Sequence, residues 1–149
     1  MGREERKVEM VEVKTSELVG AALDWAVAQA VGKAVAVKKS MGGAMLIYPD
    51  DAKLARIYQI TSNPYMPSEN WEQGGKLIEE YTDGPHRNDE LRENEYIDVD
   101  EPWYCESGVH WDAGPTPLIA ACRCIVKSKL GETVQVPAEL TAAPAASKL

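Results

Sequence analysis

The sequence predicts an α+β domain in which about three helices pack on a small antiparallel sheet, an α/β sandwich. Three observations lead there. The 149-residue chain is 44% hydrophobic, enough for one domain whose core needs no disulfides or metals. Three segments carry helix-start signals followed by apolar residues at helical spacing. The stretches between them are short and bounded by Gly, Pro and Asp, as strands of an antiparallel sheet are. The domain is expected to span residues 1–136.

Met1 to Lys7 is charged and reads as a frayed end, and Val8 to Val13 as a short edge strand or an extended lead-in. The first helix takes Thr15 or Ser16 as its cap and runs from about Glu17 to Val31. Leu18, Ala21, Ala22, Trp25, Val27 and Ala28 form its apolar face, and Gly32 ends it. Ala34 to Lys38 and Ala44 to Tyr48 read as strands around a turn at Lys38 to Gly43. A turn at Pro49 to Asp51 leads to a β-rich segment, Arg56 to Ile60.

The second helix takes Ser68 as its cap, with Glu69 and Glu72 in the first turn where negative charge is favoured, and runs to about Tyr81. Gly74 and Gly75 sit inside its apolar stripe, each costing about 1 kcal/mol relative to alanine. A ligand or another helix approaching the backbone closely explains such a pair. Asp83 to Glu95 is nearly all polar and reads as a solvated loop that holds His86 in water. Tyr96 to Val99 and Trp103 to Glu106 are short strand candidates, and His110 to Gly114 a loop.

The third helix is the clearest. Thr116 caps it, Pro117 takes the first helical position, and Gly131 ends it. Leu118, Ile119, Ala121, Cys122, Ile125, Val126 and Leu130 supply its buried face. Thr133 to Val136 reads as a closing strand, and Pro137 to Leu149, rich in alanine and proline, as a disordered tail.

Sixteen Lys and Arg against 24 Asp and Glu give a net charge of −8. That argues against general nucleic-acid binding through the phosphate backbone. Met1 to Lys14 lacks the apolar core of a signal peptide, and no apolar run reaches membrane-spanning length. Cys105, Cys122 and Cys124 suit free thiols in a reducing compartment. The expected location is cytoplasmic. Ser147-Lys148-Leu149 matches a peroxisomal address, but a tripeptide match is cheap.

Three separated blocks carry a family resemblance. They are Lys14-Thr15-Ser16-Glu17-Leu18 with Ala22 to Ala28; Pro67-Ser68-Glu69-Asn70-Trp71-Glu72-Gln73-Gly74-Gly75 with Ile78-Glu79; and Gly114 to Arg123 with Ser128 to Glu132. Together they resemble the phage NinX-like proteins, a family of unknown function from tailed phages and prophages, over roughly Val11 to Leu140. A looser likeness is to a broader phage α/β-sandwich domain. The charged 83–95 segment and the longer tail depart from the pattern. The resemblance implies a phage or prophage accessory protein in a host bacterial cell. It supplies no reaction, so no catalytic residue is carried over.

Catalytic signals are weak. Cys105, His110 and Asp112 allow a thiol–imidazole pair or a metal site on paper, but no third ligand stands at a usual spacing. Cys122 and Cys124, two apart on a helix, point in different directions. Asp98 and Asp100 share a strand face, and the acidic surface explains them more simply. Walker, GxGxxG, GxSxG and HExxH motifs are missing. No metal and no cofactor is expected.

Binding signals are richer. The Ser68 and Thr116 helix starts offer free amides to an anion. Asn70 lies at the first of these starts, and Gly74-Gly75 leave room beside it. Tyr65, Trp71, Trp103, Tyr104 and Trp111 offer faces for a ring. Arg123 and Lys127, four apart on the last helix, present two cations, and Lys76 adds a third. The plain alternative is that these aromatics are core and these caps ordinary helix punctuation.

Two functional readings follow. In the first, a non-enzymatic counter-defence protein sequesters a small nucleotide-derived host immune signal, of cyclic nucleotide or cyclic ADP-ribose type. Trp71 or Tyr65 stacks, the two helix starts take phosphate, and Arg123 neutralises charge. Homo-oligomers are expected, because pockets often form between subunits. In the second, an acidic protein-interaction module inhibits a host defence protein, as a nucleic-acid mimic would. An enzyme that consumes the ligand ranks third.

Overall fold

The computed structural model describes residues 9–39, 42–49, 64–87 and 101–141. Strand β1 (Met10–Lys14) pairs antiparallel with β7 (Thr133–Pro137), so the two ends of the fold meet in one ribbon. Period-two alternation sends Val134 and Val136 into the core opposite Val13 and Val11. Strands β2 (Val35–Lys39) and β3 (Met45–Pro49) form a hairpin. Strands β4 (Pro85–Arg87), β5 (Trp103–Ser107) and β6 (His110–Gly114) form a three-stranded antiparallel sheet. Gly108 turns the β5–β6 hairpin at φ +63°, a conformation other residues resist.

Three α-helices pack on these strands: α1 (Gly20–Val31), α2 (Trp71–Tyr81) and α3 (Pro117–Leu130). The central one is α3, which lies against α1 on one side and against β5 and β6 on the other. Its faces divide accordingly. Cys122 and Val126 join the main core with Leu18, Leu23, Val27 and Ile47, whereas Ala120, Ala121 and Cys124 pack with Cys105 of β5. Helix α2 leans on the N-terminal part of α3.

The α+β class holds, with small sheets in place of the one expected. Other expectations shift for tertiary reasons. Helix α1 begins at Gly20, not near Glu17, because Thr15 and Ser16 are engaged elsewhere. The Thr15 hydroxyl donates to Gly131 O at 2.7 Å, and Ser16 Oγ donates to Asp112 Oδ2 at 3.0 Å. Residues Thr15–Glu17 form a 3₁₀ turn.

His110–Gly114 is a strand, not a loop. Aspartate and glycine disfavour strands locally, but β5 supplies the ladder, and a Cβ on Gly114 would meet Ala120 N of α3 at 2.8 Å. Pro85–Arg87 likewise leaves the expected solvated loop to pair with Trp103–Cys105. The fold also continues past residue 136. Ala138–Leu140 makes a 3₁₀ turn, Ala138 N donates to Glu9 O at 2.8 Å, and Leu140 is buried in the main core. The readings at Met1 to Val8, Pro49 to Ile60, residues 88–100 and the last eight residues lie wholly or mostly outside the described residues.

Candidate functional site

The segment entering α2 is held at several points. Tyr65 N donates to Ile47 O at 2.8 Å, tying the segment to β3. The Gln73 side chain reaches back from α2, accepting from Met66 N and donating to Pro64 O at 3.2 Å. The cap of α2 is Asn70, whose Oδ1 accepts from Gln73 N at 3.1 Å, and not Ser68. Ser68 sits in the preceding turn and is 2% exposed. Its N–H donates to Asp24 Oδ1 of α1 at 2.8 Å, and its Oγ has no hydrogen-bond partner among the described residues. Burial pushes the Asp24 carboxyl up to about 7, with Ser68 opposing the shift and Glu69 adding to it.

The glycine pair divides. A Cβ on Gly74 would strike the Pro67 carbonyl oxygen and would lie 2.6 Å from Leu118 Cδ2. The fold itself is therefore what approaches Gly74. At Gly75 a Cβ would meet nothing within 4 Å among the described residues.

One flank of α2 faces the C-terminal end of α1 across a groove of about 660 Å³, within the usual size of a ligand pocket. Lys33, Tyr65, Glu72, Lys76, Glu80 and Tyr81 line it. Lys33 Nζ stands 5.4 Å above the Tyr65 ring, which is 7% exposed. Burial, then Cys122 and Asp24, push the Tyr65 phenol up to about 12, so it stays protonated near neutral pH. Two lysines and two glutamates in its lining leave the groove balanced in charge. Such a site suits a ligand with both an anionic group and hydrogen-bond donors.

Among the expected ligand residues, Tyr65 and Lys76 share this groove. Trp71 stands at the start of α2, 58% exposed. Thr116 uses its hydroxyl to cap α3, accepting from Ile119 N at 3.1 Å. Arg123 departs most from its expected role. It is 5% exposed, and donates to Leu18 O at 2.9 Å, Ala113 O at 2.8 Å and Glu101 at 3.3 Å. Lys127 pairs with Asp112 at 3.5 Å and covers the Trp111 ring. Both cations are committed within the fold, because α3 lies between two layers and their charges must be satisfied there.

Other aromatic faces are also occupied. Arg87 lies over Trp103, and His86 stacks on Tyr104 with centroids 5.2 Å apart, so His86 is half-buried rather than solvated. Sequence reasoning missed Lys33, Glu80 and Tyr81. The spacing of Glu72, Lys76 and Glu80 does mark one helix flank, but nothing local places Lys33 opposite.

A hydrogen bond between Cys105 and Cys124 pulls the Cys105 pKa down to about 7 and pushes the Cys124 pKa up. The cross-strand partner of Cys105 is Asp112, and His110 lies beyond it, opposite Ser107. Among the described residues no three His, Cys, Asp or Glu side chains gather as a metal site, and no helix is long and apolar enough to cross a membrane. No curated protein matches the chain. A family model described as Bacteriophage P22, NinX matches residues 14–129.

Proposed function

The chain belongs to the Bacteriophage P22 NinX family, and on that premise we propose that it acts in counter-defence by sequestering a small nucleotide-derived host signal. The ligand class is a cyclic nucleotide or a cyclic ADP-ribose isomer, bound without turnover in the groove between α1 and α2. The groove's make-up carries the reading: a buried tyrosine wall with Lys33 and Lys76 beside Glu72 and Glu80. A nucleotide carries phosphate for the lysines, and ribose hydroxyls and base amino groups for the carboxylates. Arg123 has no part in this site, and Trp71 stands apart from it.

The test is thermal shift against a panel of cyclic di- and trinucleotides and cyclic ADP-ribose isomers, followed by heat release and analysis of the ligand. Stabilisation with intact ligand recovered is the expected result. Lys33→Glu and Lys76→Glu should each weaken binding about tenfold or more while leaving the ligand-free midpoint nearly unchanged. Altered ligand would mean an enzyme. No shift across the panel would sink the reading.

A further inference from the structure

The flank of α2 away from the groove carries a feature that nothing among the described residues explains. Gly75 is helical, has an ordinary negative φ, and no described residue lies within 4 Å of where a Cβ would stand. Glycine weakens a helix, and neither backbone conformation nor internal packing requires it here. Trp71 stands four residues before it and Glu79 four residues after, so the three share one line along the helix surface. Trp71 is the most exposed of the large aromatic side chains among the described residues, at 58%. Glu69 precedes the helix, and it and Glu79 are both exposed.

We propose that Trp71, Gly75 and Glu79 form a docking face for a basic, amphipathic element of a partner protein. An apolar side chain of the partner fills the notch at Gly75, as close-packed helices use small residues. Trp71 inserts as the anchor that aromatic residues commonly provide at interfaces. Basic side chains meet Glu69 and Glu79. Charge complementarity selects this occupant: a second copy would set the same glutamates against each other, and nucleic acid would add negative charge to negative charge. The face is separate from the α1–α2 groove, so it stands or falls independently of ligand binding there.

The probe is a labelled amphipathic peptide of about 18 residues built from leucine and lysine, with a leucine–glutamate peptide of the same pattern as control. Fluorescence anisotropy is read at about 50 and 300 mM salt. The lysine peptide should bind wild type, more weakly at high salt, and the glutamate peptide should not. Gly75→Leu fills the notch and Trp71→Ala removes the anchor, and each should weaken binding about tenfold or more with the circular dichroism unchanged. Gly75→Ala should raise the melting midpoint by about 2–4 °C. Equal binding by wild type and both variants, or binding of the glutamate peptide, overturns the proposal. So does a lower midpoint for Gly75→Ala, which would mean that the fold needs the glycine. Sedimentation showing a wild-type dimer that Gly75→Leu dissolves would assign the face to a second copy and overturn it as well.

Discussion

Helices α2 and α3 start alike in sequence and end in opposite roles. Each follows a proline, each has a polar cap, and each carries at least one cation. Helix α3 lies between two layers and is buried from Leu118 to Val126 apart from half-buried Ile119, with Arg123 and Lys127 paired internally. Helix α2 buries one stripe and leaves Trp71, Glu72, Lys76 and Glu79 in solvent. The same residue type is therefore a staple in one helix and a free contact in the other. Layering decides which, because a charge between two layers must be satisfied where it lies.

The sharpest way to break this contrast is at the cations. Arg123→Leu strands the Leu18 and Ala113 carbonyls, and should cost about 3–5 kcal/mol in urea unfolding. Lys76→Ala on α2 should stay within about 0.5 kcal/mol. Comparable values for the two would dissolve the distinction.

Asp24 links the two regions, holding the turn before α2 from α1. Its folded value of about 7 lies above the ordinary carboxyl value of 3.8. The folded protein keeps a proton that the unfolded chain releases. Its contribution to stability is full below about pH 4, declines as pH rises through 7, and then levels off. The span is on the order of 4 kcal/mol. Asp24→Asn should flatten that slope in denaturation series at pH 4, 5.5 and 7, and a parallel pair of curves would refute the assignment.

The glycine pair sharpens the comparison within α2 alone. Gly74→Ala forces a methyl against the Pro67 carbonyl and Leu118 and should cost about 2 kcal/mol. Gly75→Ala should gain up to about 1 kcal/mol. Two losses of similar size would show that both glycines serve the fold. The smallest effect is expected for Trp71→Ala, within about 0.5 kcal/mol, because most of its surface is already in water. A larger loss would place Trp71 in the core.

Local signals set the α+β class, the Thr116 cap with Pro117, the Gly32 stop and most strand cores, because caps, helix stops and period-two patterning act over a few residues. The same signals misplaced the start of α1 and the cap of α2. Thr15 and Ser68 are good caps by type, but Gly131 and Asp24, distant in sequence, recruit them. Strand β6 was illegible because its ladder comes from β5 and its glycine from the closeness of α3. The site residues divide on the same principle. Residue type and spacing marked Tyr65 and Lys76 as binding groups. Only the tertiary structure set Lys33 across from them, drew Arg123 and Ser68 inside, and gave Gly74 to the fold while leaving Gly75 open. Sequence determines what a side chain can bond to over one helical turn; which partner it meets depends on the layer it is packed into.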